Sequence, residues 1–253
     1  MAVVVKWLKR GTIAALVLVS LPALTGSGRD LDYVANTRRF VGGFFPPDLS
    51  VISEVMRSFV ETFQIGFMAT ILGASIALPL AVAGAAKIAP APLVQATRLF
   101  LAAIRTVPSL IWALVAVAIV GPNPWAGTIA LTLYSLGYLG KFFSDGLDSM
   151  NHDVPRTLRD LGAHPVQAFQ YGLWSESKPI LLSHTLWMLE YNLRSAAIIG
   201  FVGAGGVGVH LHTYQEYGQW HKFSTVLILI FFVVIGLDVL GQRLRKRLVP
   251  QPQ

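Results

Sequence analysis

The chain has 253 residues, of which 54% are hydrophobic and 13% charged, and its mean hydropathy is +0.59. Soluble domains carry roughly 25% charged residues, so the composition excludes an ordinary soluble globular protein and points to a membrane protein. The net charge of +7 is scattered between apolar runs, which argues against a nucleic-acid partner, and the absence of cysteine removes disulfides, Cys-ligated metals and a Cys nucleophile together.

Six apolar stretches approach the ~20 residues needed to cross a bilayer as a helix. The first, residues 11–24, comes after Lys6, Lys9 and Arg10. Its shortness also suits a secretory signal peptide, but no clean small-x-small cleavage site comes after it, and a retained helix is expected. The others are residues 59–83, 99–120, 125–143, 180–201 and 223–240. Placing the N-terminus inside puts 13 Lys and Arg on the inner side and 5 on the outer, with Arg105 and Arg194 inside spans. Cytoplasmic loops keep the excess of Lys and Arg, so both termini are expected to be cytoplasmic. The expected organisation is an N-terminal span and outside loop (1–58), a five-span core (59–242) enclosing a cytosolic loop (144–179), and a basic tail (243–253). The outside loop carries nearly balanced charge and a Phe44-Phe45-Pro46-Pro47 turn.

The inner segment 144–179 is too long for a tight turn. Asp153-Val154-Pro155 suits a helix start, with Asp as cap and Pro in the first turn, and Gly162 ends that helix. From Pro165, Val166, Phe169, Gln170 and Leu173 recur at helical spacing, so a second amphipathic helix is expected. Periodicity leaves two roles open: resting on the membrane surface, or docking into a cytosolic partner.

Ionisable residues inside a membrane are costly and mark functional sites by default. Within the fifth span, Glu190 and Arg194 are one helical turn apart and able to pair. Arg105 lies in the third span, with Pro108 as a helix break and Ser109 and Asn192 as neutral donors at similar depth. One reading is structural: Glu190 neutralises Arg194 while Arg105 snorkels to the interface. The other is a cation-lined path for an anion. Gly203-Ala204-Gly205-Gly206-Val207-Gly208 matches G-x-G-x-x-G letter for letter, but it is preceded by an apolar span rather than a strand, so no dinucleotide site is expected. These glycines suit irregular backbone lining a cavity. His210 and His212, with Tyr214 and His221 nearby, lack carboxylates at ligand spacing and read as a polar interfacial loop rather than a metal site. There is no G-x-x-x-x-G-K-[ST] motif for ATP, no nucleophile or paired-carboxylate context, and no internal repeat of the kind found in ion-coupled secondary transporters.

Three stretches resemble the transmembrane permease subunits of ABC importers for phosphonates. The run LEYNLRSAAIIGFVGAGGVG (189–208) is similar to that family's signature of an acid, an Asn and an Arg leading into a GFVGAGGIG-like segment, and is the most specific. Residues 104–145 resemble its Arg-x-x-Pro, Ile-Trp-Ala-Leu and Gly-Lys elements. Leu161-Gly162-Ala163 and Pro179 fall where importer permeases carry the EAA loop, although Arg156, Thr157 and Leu158 replace its leading Glu and alanines. The likeness covers most of 59–240 and is loose before residue 58.

The resemblance implies an all-α integral membrane protein with the type I ABC importer permease fold, about six transmembrane helices and no enzymatic activity of its own. Its implied partners are a second permease copy, two cytosolic ATP-binding subunits and an outside phosphonate-binding protein. ATP and Mg2+ would bind the ATPase, and no cofactor would bind this chain. The cytosolic loop becomes the coupling helix, with Leu161, Gly162, Ala163, Val166 and Phe169 seated in the ATPase. Resemblance and residue chemistry converge on an anion path: Arg105 and Arg194 for charge, Glu190 beside them, Asn192 and Ser109 donating, and Gly203, Gly205 and Gly206 permitting a gate to bend. A permease for another small solute such as methionine, or an ion-gradient transporter, are the alternatives.

Overall fold

The computed structural model describes residues 12, 14–21 and 32–248, and every regular element among them is helical. The chain divides into two compact units, 1–43 and 44–253. In the first, residues 12 and 14–21 are helical and exposed. Helix α1 (Tyr33–Phe44) starts where Asp32 Oδ1 accepts the Ala35 N–H at 2.9 Å, and none of its residues is buried. Most of the flanks of the expected first span, including Lys6, Lys9 and Arg10, and the end of the basic tail (249–253) lie outside the described residues.

The second unit opens with a 3-10 turn, Leu49–Val51, capped by Asp48, whose carboxylate accepts from Ser50 N at 2.9 Å. The hydrogen bonds to Ser50 hold the Asp48 carboxyl below its ordinary range. The chain continues through α2 (Ile52–Gly84), α3 (Ala91–Thr106), α4 (Ser109–Val120), α5 (Pro124–Ser149), α6 (Asp153–Asp160), α7 (Pro165–Ala168), a π-wound turn (Phe169–Trp174), α8 (Ser175–Ile199), α9 (Gly208–Glu216) and α10 (Trp220–Leu248).

Helix α5 is the centre of the bundle. Asn123 accepts from Trp125 N (2.8 Å) and Ala126 N (3.3 Å), and Pro124 sits in the first turn, so both sequence and cap start the helix here. Its small residues let neighbours close in. A Cβ on Gly140 would lie 2.7 Å from Leu101 Cδ2 of α3, and one on Gly73 of α2 would lie 2.6 Å from Ser135 Cβ. Two apolar cores form around it, one at Leu101, Leu139, Phe143 and Met188, the other at Ile65, Leu131 and Ile199.

Helices α2, with its leading turn, and α10 are each long and apolar enough to cross a membrane. The expected span 99–120 is not one helix: α3 and α4 meet at a bend of 85°. Pro108 has no N–H to offer α3 and forces Val107 out of the helical region, to φ −93° and ψ 120°. Trp112 Nε1 bridges the break by donating to Ile104 O at 3.3 Å. Helices α5 and α8 carry buried Thr128, Ser135, Ser144, Ser177 and Asn192. Wrapped by other helices, they do not need the uniform apolarity of a lipid-facing span.

The segment after α5 departs from the expected pair of amphipathic helices. Helix α6 begins at Asp153, but the side chain that satisfies its first N–H is Asn151, whose Oδ1 accepts from Asp153 N at 2.8 Å. After Gly162 (φ +90°), His164 and Gln167 form a reciprocal cap on α7. From Phe169 the winding widens to π and runs directly into α8, so the helix expected from residue 180 already starts near Pro165. Wider winding shifts side-chain phase, which is why Leu173 is buried while Val166, on the same expected face, is 63% exposed.

Candidate functional site

A cavity of about 330 Å³ opens where the N-terminus of α4 meets α8, lined by Ser109, Leu110, Tyr191, Arg194, Ser195, Ile198 and Ile199. It brings together two of the sequence-predicted residues, Ser109 and Arg194. The break at Pro108 exposes the start of α4; Ile111 N and Trp112 N already donate to Pro108 O, so the Ser109 and Leu110 N–H groups are the ones that add a positive dipole end. The cavity therefore offers a guanidinium, two serine hydroxyls, the Tyr191 side chain and a helix N-terminus between apolar walls, a set rich in donors and suited to an oxyanion.

Arg194 does not pair with Glu190, as their spacing suggests it could. Each instead reaches α10. Arg194 Nη1 lies 3.4 Å from Asp238 Oδ1, with both side chains about 40% exposed at 42% and 38%. Glu190 Oε1 accepts from Arg245 Nη1, with side chains 10% and 24% exposed. A Cβ on Gly241 would collide with Glu190 Oε1, so only glycine lets α10 approach this carboxylate. Tertiary partners displace the local i, i+4 option.

Arg105 is the last-turn cation of α3. Its stem crosses α5 at Gly137, where a Cβ would lie 2.8 Å from Arg105 Cγ, and its guanidinium sits 5.4 Å from the centre of the Tyr138 ring. That distance is within cation–π range. Tyr138 tilts against Tyr134 at 4.6 Å, and Tyr134 stacks on Tyr191 at 4.8 Å, so an aromatic chain links Arg105 to the cavity wall. The stripe continues through Phe142, His184 and Trp187. Tyr134, Tyr138 and Phe142 recur every four residues on α5, and His184, Trp187 and Tyr191 at three and four on α8. This recurrence is the signal by which sequence reasoning could have found the stripe.

Asn192 faces away from the cavity. It is fully buried, and its Nδ2 donates to Thr70 Oγ1 (2.9 Å) and Ser135 Oγ (2.7 Å), joining α2, α5 and α8. Its Oδ1 has no hydrogen-bond partner among the described residues.

The glycine-rich segment is a clamped turn. Gly203, Gly205 and Gly206 all have left-handed φ, +86°, +83° and +75°. A Cβ would lie 2.7 Å from Glu61 Oε1 at Gly205 and 2.6 Å from Thr62 Oγ1 at Gly206. Glu61 Oε1 accepts from Gly206 N at 2.9 Å and Thr62 Oγ1 from Val207 N at 2.8 Å. The glycines serve close approach to α2, and bending here requires those bonds to break. Helix α9 takes the place of the expected polar loop after these glycines; His210 Nε2 lies 2.7 Å from Ser58 Oγ, and His212 faces Glu216 at 3.6 Å. No group of three metal-ligating side chains occurs among the described residues.

At the opposite end of the bundle, Leu161 is 80% exposed and Gly162 has open space around it, with Ala163 half-buried beside them. Phe169 turns inward, against Trp174 at 6.5 Å and the core beneath. The turn before α3 is braced by Asp148, which accepts from Ala86 N, Lys87 N and Arg98 Nη2 at 3.1, 3.0 and 2.7 Å.

Comparison with known proteins agrees with this architecture. Residues 77–251 match the family described as binding-protein-dependent transport system inner membrane component. The phosphite transport system permease protein PtxC of Stutzerimonas stutzeri is 31% identical over 206 residues, 81% of this chain and 75% of that protein. The phosphate-import permease protein PhnE of Mycolicibacterium smegmatis is 30% identical over 206 residues, 81% of this chain and 39% of that longer protein. Among solved structures, the inward-facing MetNI methionine ABC transporter superposes with a TM-score of 0.70 at 24% identity, over 80% of this chain and 99% of that one, and shows the shared fold. The chain thus belongs to the inner membrane components of binding-protein-dependent transport systems, as a non-catalytic permease subunit of the phosphonate type of ABC importer.

Proposed function

We propose that this chain forms the membrane path of an ATP-driven importer for small phosphorus oxyanions: phosphite, phosphonates or phosphate. The observation that carries the reading is the cavity at Ser109, Ser195 and Arg194, which presents donors and one cation at a helix break. A tetrahedral oxyanion takes two parallel N–H bonds from one guanidinium and further bonds from hydroxyls. Arg105, held over Tyr138, is a second cation reached along the aromatic chain. The relatives named for phosphite and phosphate transport favour this substrate class.

In this reading the chain crosses the inner membrane about six times with both termini cytoplasmic and works as a homodimer. Two cytosolic ATPases, which bind ATP and Mg2+, dock on the segment from Leu161 to Phe169. Leu161 and Val166 supply the exposed apolar contacts, Gly162 and Ala163 the tight turn between them, and Phe169 anchors the turn to the bundle. An outside binding protein delivers the substrate, and Gly203, Gly205 and Gly206 form the gate opposite. Binding in the cavity is weak, because a conduit must release what it receives.

The test is ATP hydrolysis by the chain reconstituted in liposomes with its ATPase and binding protein, with phosphite, methylphosphonate, phosphate and methionine added in turn. Stimulation by a phosphorus oxyanion, lost on Leu161→Asp with the permease still folded, is the expected result. Stimulation by methionine alone would replace the substrate class while keeping the importer.

A further inference from the structure

Two ion pairs join α8 to α10, and only one has the geometry of a permanent bond. Glu190 is nearly buried, and Arg245, 24% exposed, is hydrogen-bonded to it. Arg194 and Asp238 stand at 3.4 Å, longer than the ~2.7–2.9 Å of a charge-assisted hydrogen bond, and both remain about 40% open at 42% and 38%. Arg194 also lines the 330 Å³ cavity. Asp238 sits in an otherwise apolar stretch of α10, among Phe231, Phe232, Ile235, Val239 and Leu240, where an acid needs a reason to persist.

We propose that Asp238 is the resident counter-ion of the oxyanion site: it occupies Arg194 while the cavity is empty and is displaced when a phosphorus oxyanion arrives. The inference rests on the anion-path reading of Arg194 and adds to it a residue that sets affinity. Arg194 is never left as an unpaired cation. A bound oxyanion gains two short N–H bonds from the guanidinium, but it leaves Asp238 without its partner in an apolar helix. That cost lowers affinity and returns the substrate once the path opens. Displacement does not free α10, because Arg245, two helical turns further on the same face, still holds Glu190.

The experiment is a 31P NMR titration of sodium phosphite into the detergent-purified complex of permease and ATPase, without the binding protein. Asp238→Asn is expected to tighten phosphite binding by about fivefold, the factor that an exposed ion pair near the top of its usual range represents. Uptake at saturating phosphite is expected to slow at the same time. Asp238→Glu carries its carboxylate nearer the guanidinium and is expected to weaken binding, so the pair of variants gives opposite signs even if one expresses poorly. Phosphite affinity unchanged or weakened in Asp238→Asn, with Arg194→Ala abolishing binding, would overturn the counter-ion role and leave the anion path standing. Wild-type affinity in Arg194→Ala would instead remove the anion path, and the counter-ion role with it.

Discussion

The two arginine–carboxylate pairs between α8 and α10 are one helical turn apart on α8 yet differ in distance, burial and surroundings. Glu190–Arg245 is hydrogen-bonded and the more deeply buried of the two, and it has Gly241 opposite to admit it. Arg194–Asp238 is long and about 40% exposed, and its arginine opens onto a cavity. A buried charge stripped of its partner is severely penalised, whereas an exposed pair is worth about 0–1 kcal/mol. The first pair therefore acts as a fastener, and the second is loose enough to exchange its anion. Sequence distance conceals the distinction, because Glu190 and Arg194 look like partners of each other.

Substitutions sharpen this contrast. Glu190→Ala leaves the Arg245 guanidinium unpaired and is expected to cost about 3 kcal/mol, the lower end of the cost of breaking a buried pair because Arg245 stays 24% exposed, read as loss of the folded permease in thermal melts in detergent. An apolar pair, Glu190→Leu with Arg245→Met, is expected to recover most of that loss; failure to recover would mean that the charges do more than fasten. Gly241→Ala drives a methyl into Glu190 Oε1 and is expected to cost about 1–3 kcal/mol by the same assay. Gly206→Ala combines left-handed backbone strain with a clash at Thr62 Oγ1, for about 1–2 kcal/mol. Arg194→Ala sits at the bottom of this scale, with less than about 1 kcal/mol lost, although it removes the guanidinium from the cavity. A melt as damaged as that of Glu190→Ala would break the comparison.

Much of the architecture is legible in the sequence. Apolar runs locate α2, α5 and α10, and Pro108 is visible as a helix break. Hydropathy nonetheless draws a span across Pro108, because it measures apolarity and not direction, and the 85° turn arises from backbone sterics at Val107. The π winding at residues 169–174 is invisible, since the periodicity of Val166, Phe169 and Leu173 presumes regular α geometry. At the site, Arg194 and Ser109 are legible and share the cavity, while Asn192 is legible as a polar residue but not as the knot between Thr70 and Ser135. Asp238 carries the same signal as Arg194, an ionisable residue in an apolar run, but its partner Arg194 lies on another helix and only the structure shows it. Pairing across some fifty residues is a tertiary fact that no local spacing encodes.

The most direct test of the anion path is uptake of isotopically labelled phosphite by proteoliposomes containing the full importer, comparing wild type with Arg194→Ala at matched protein incorporation. ATP-dependent uptake is predicted in wild type and its loss, by about tenfold or more, in the variant, the scale expected when a charge-assisted contact to the substrate disappears. Equal uptake by the two would contradict the claim that the α4–α8 cavity is the anion's path.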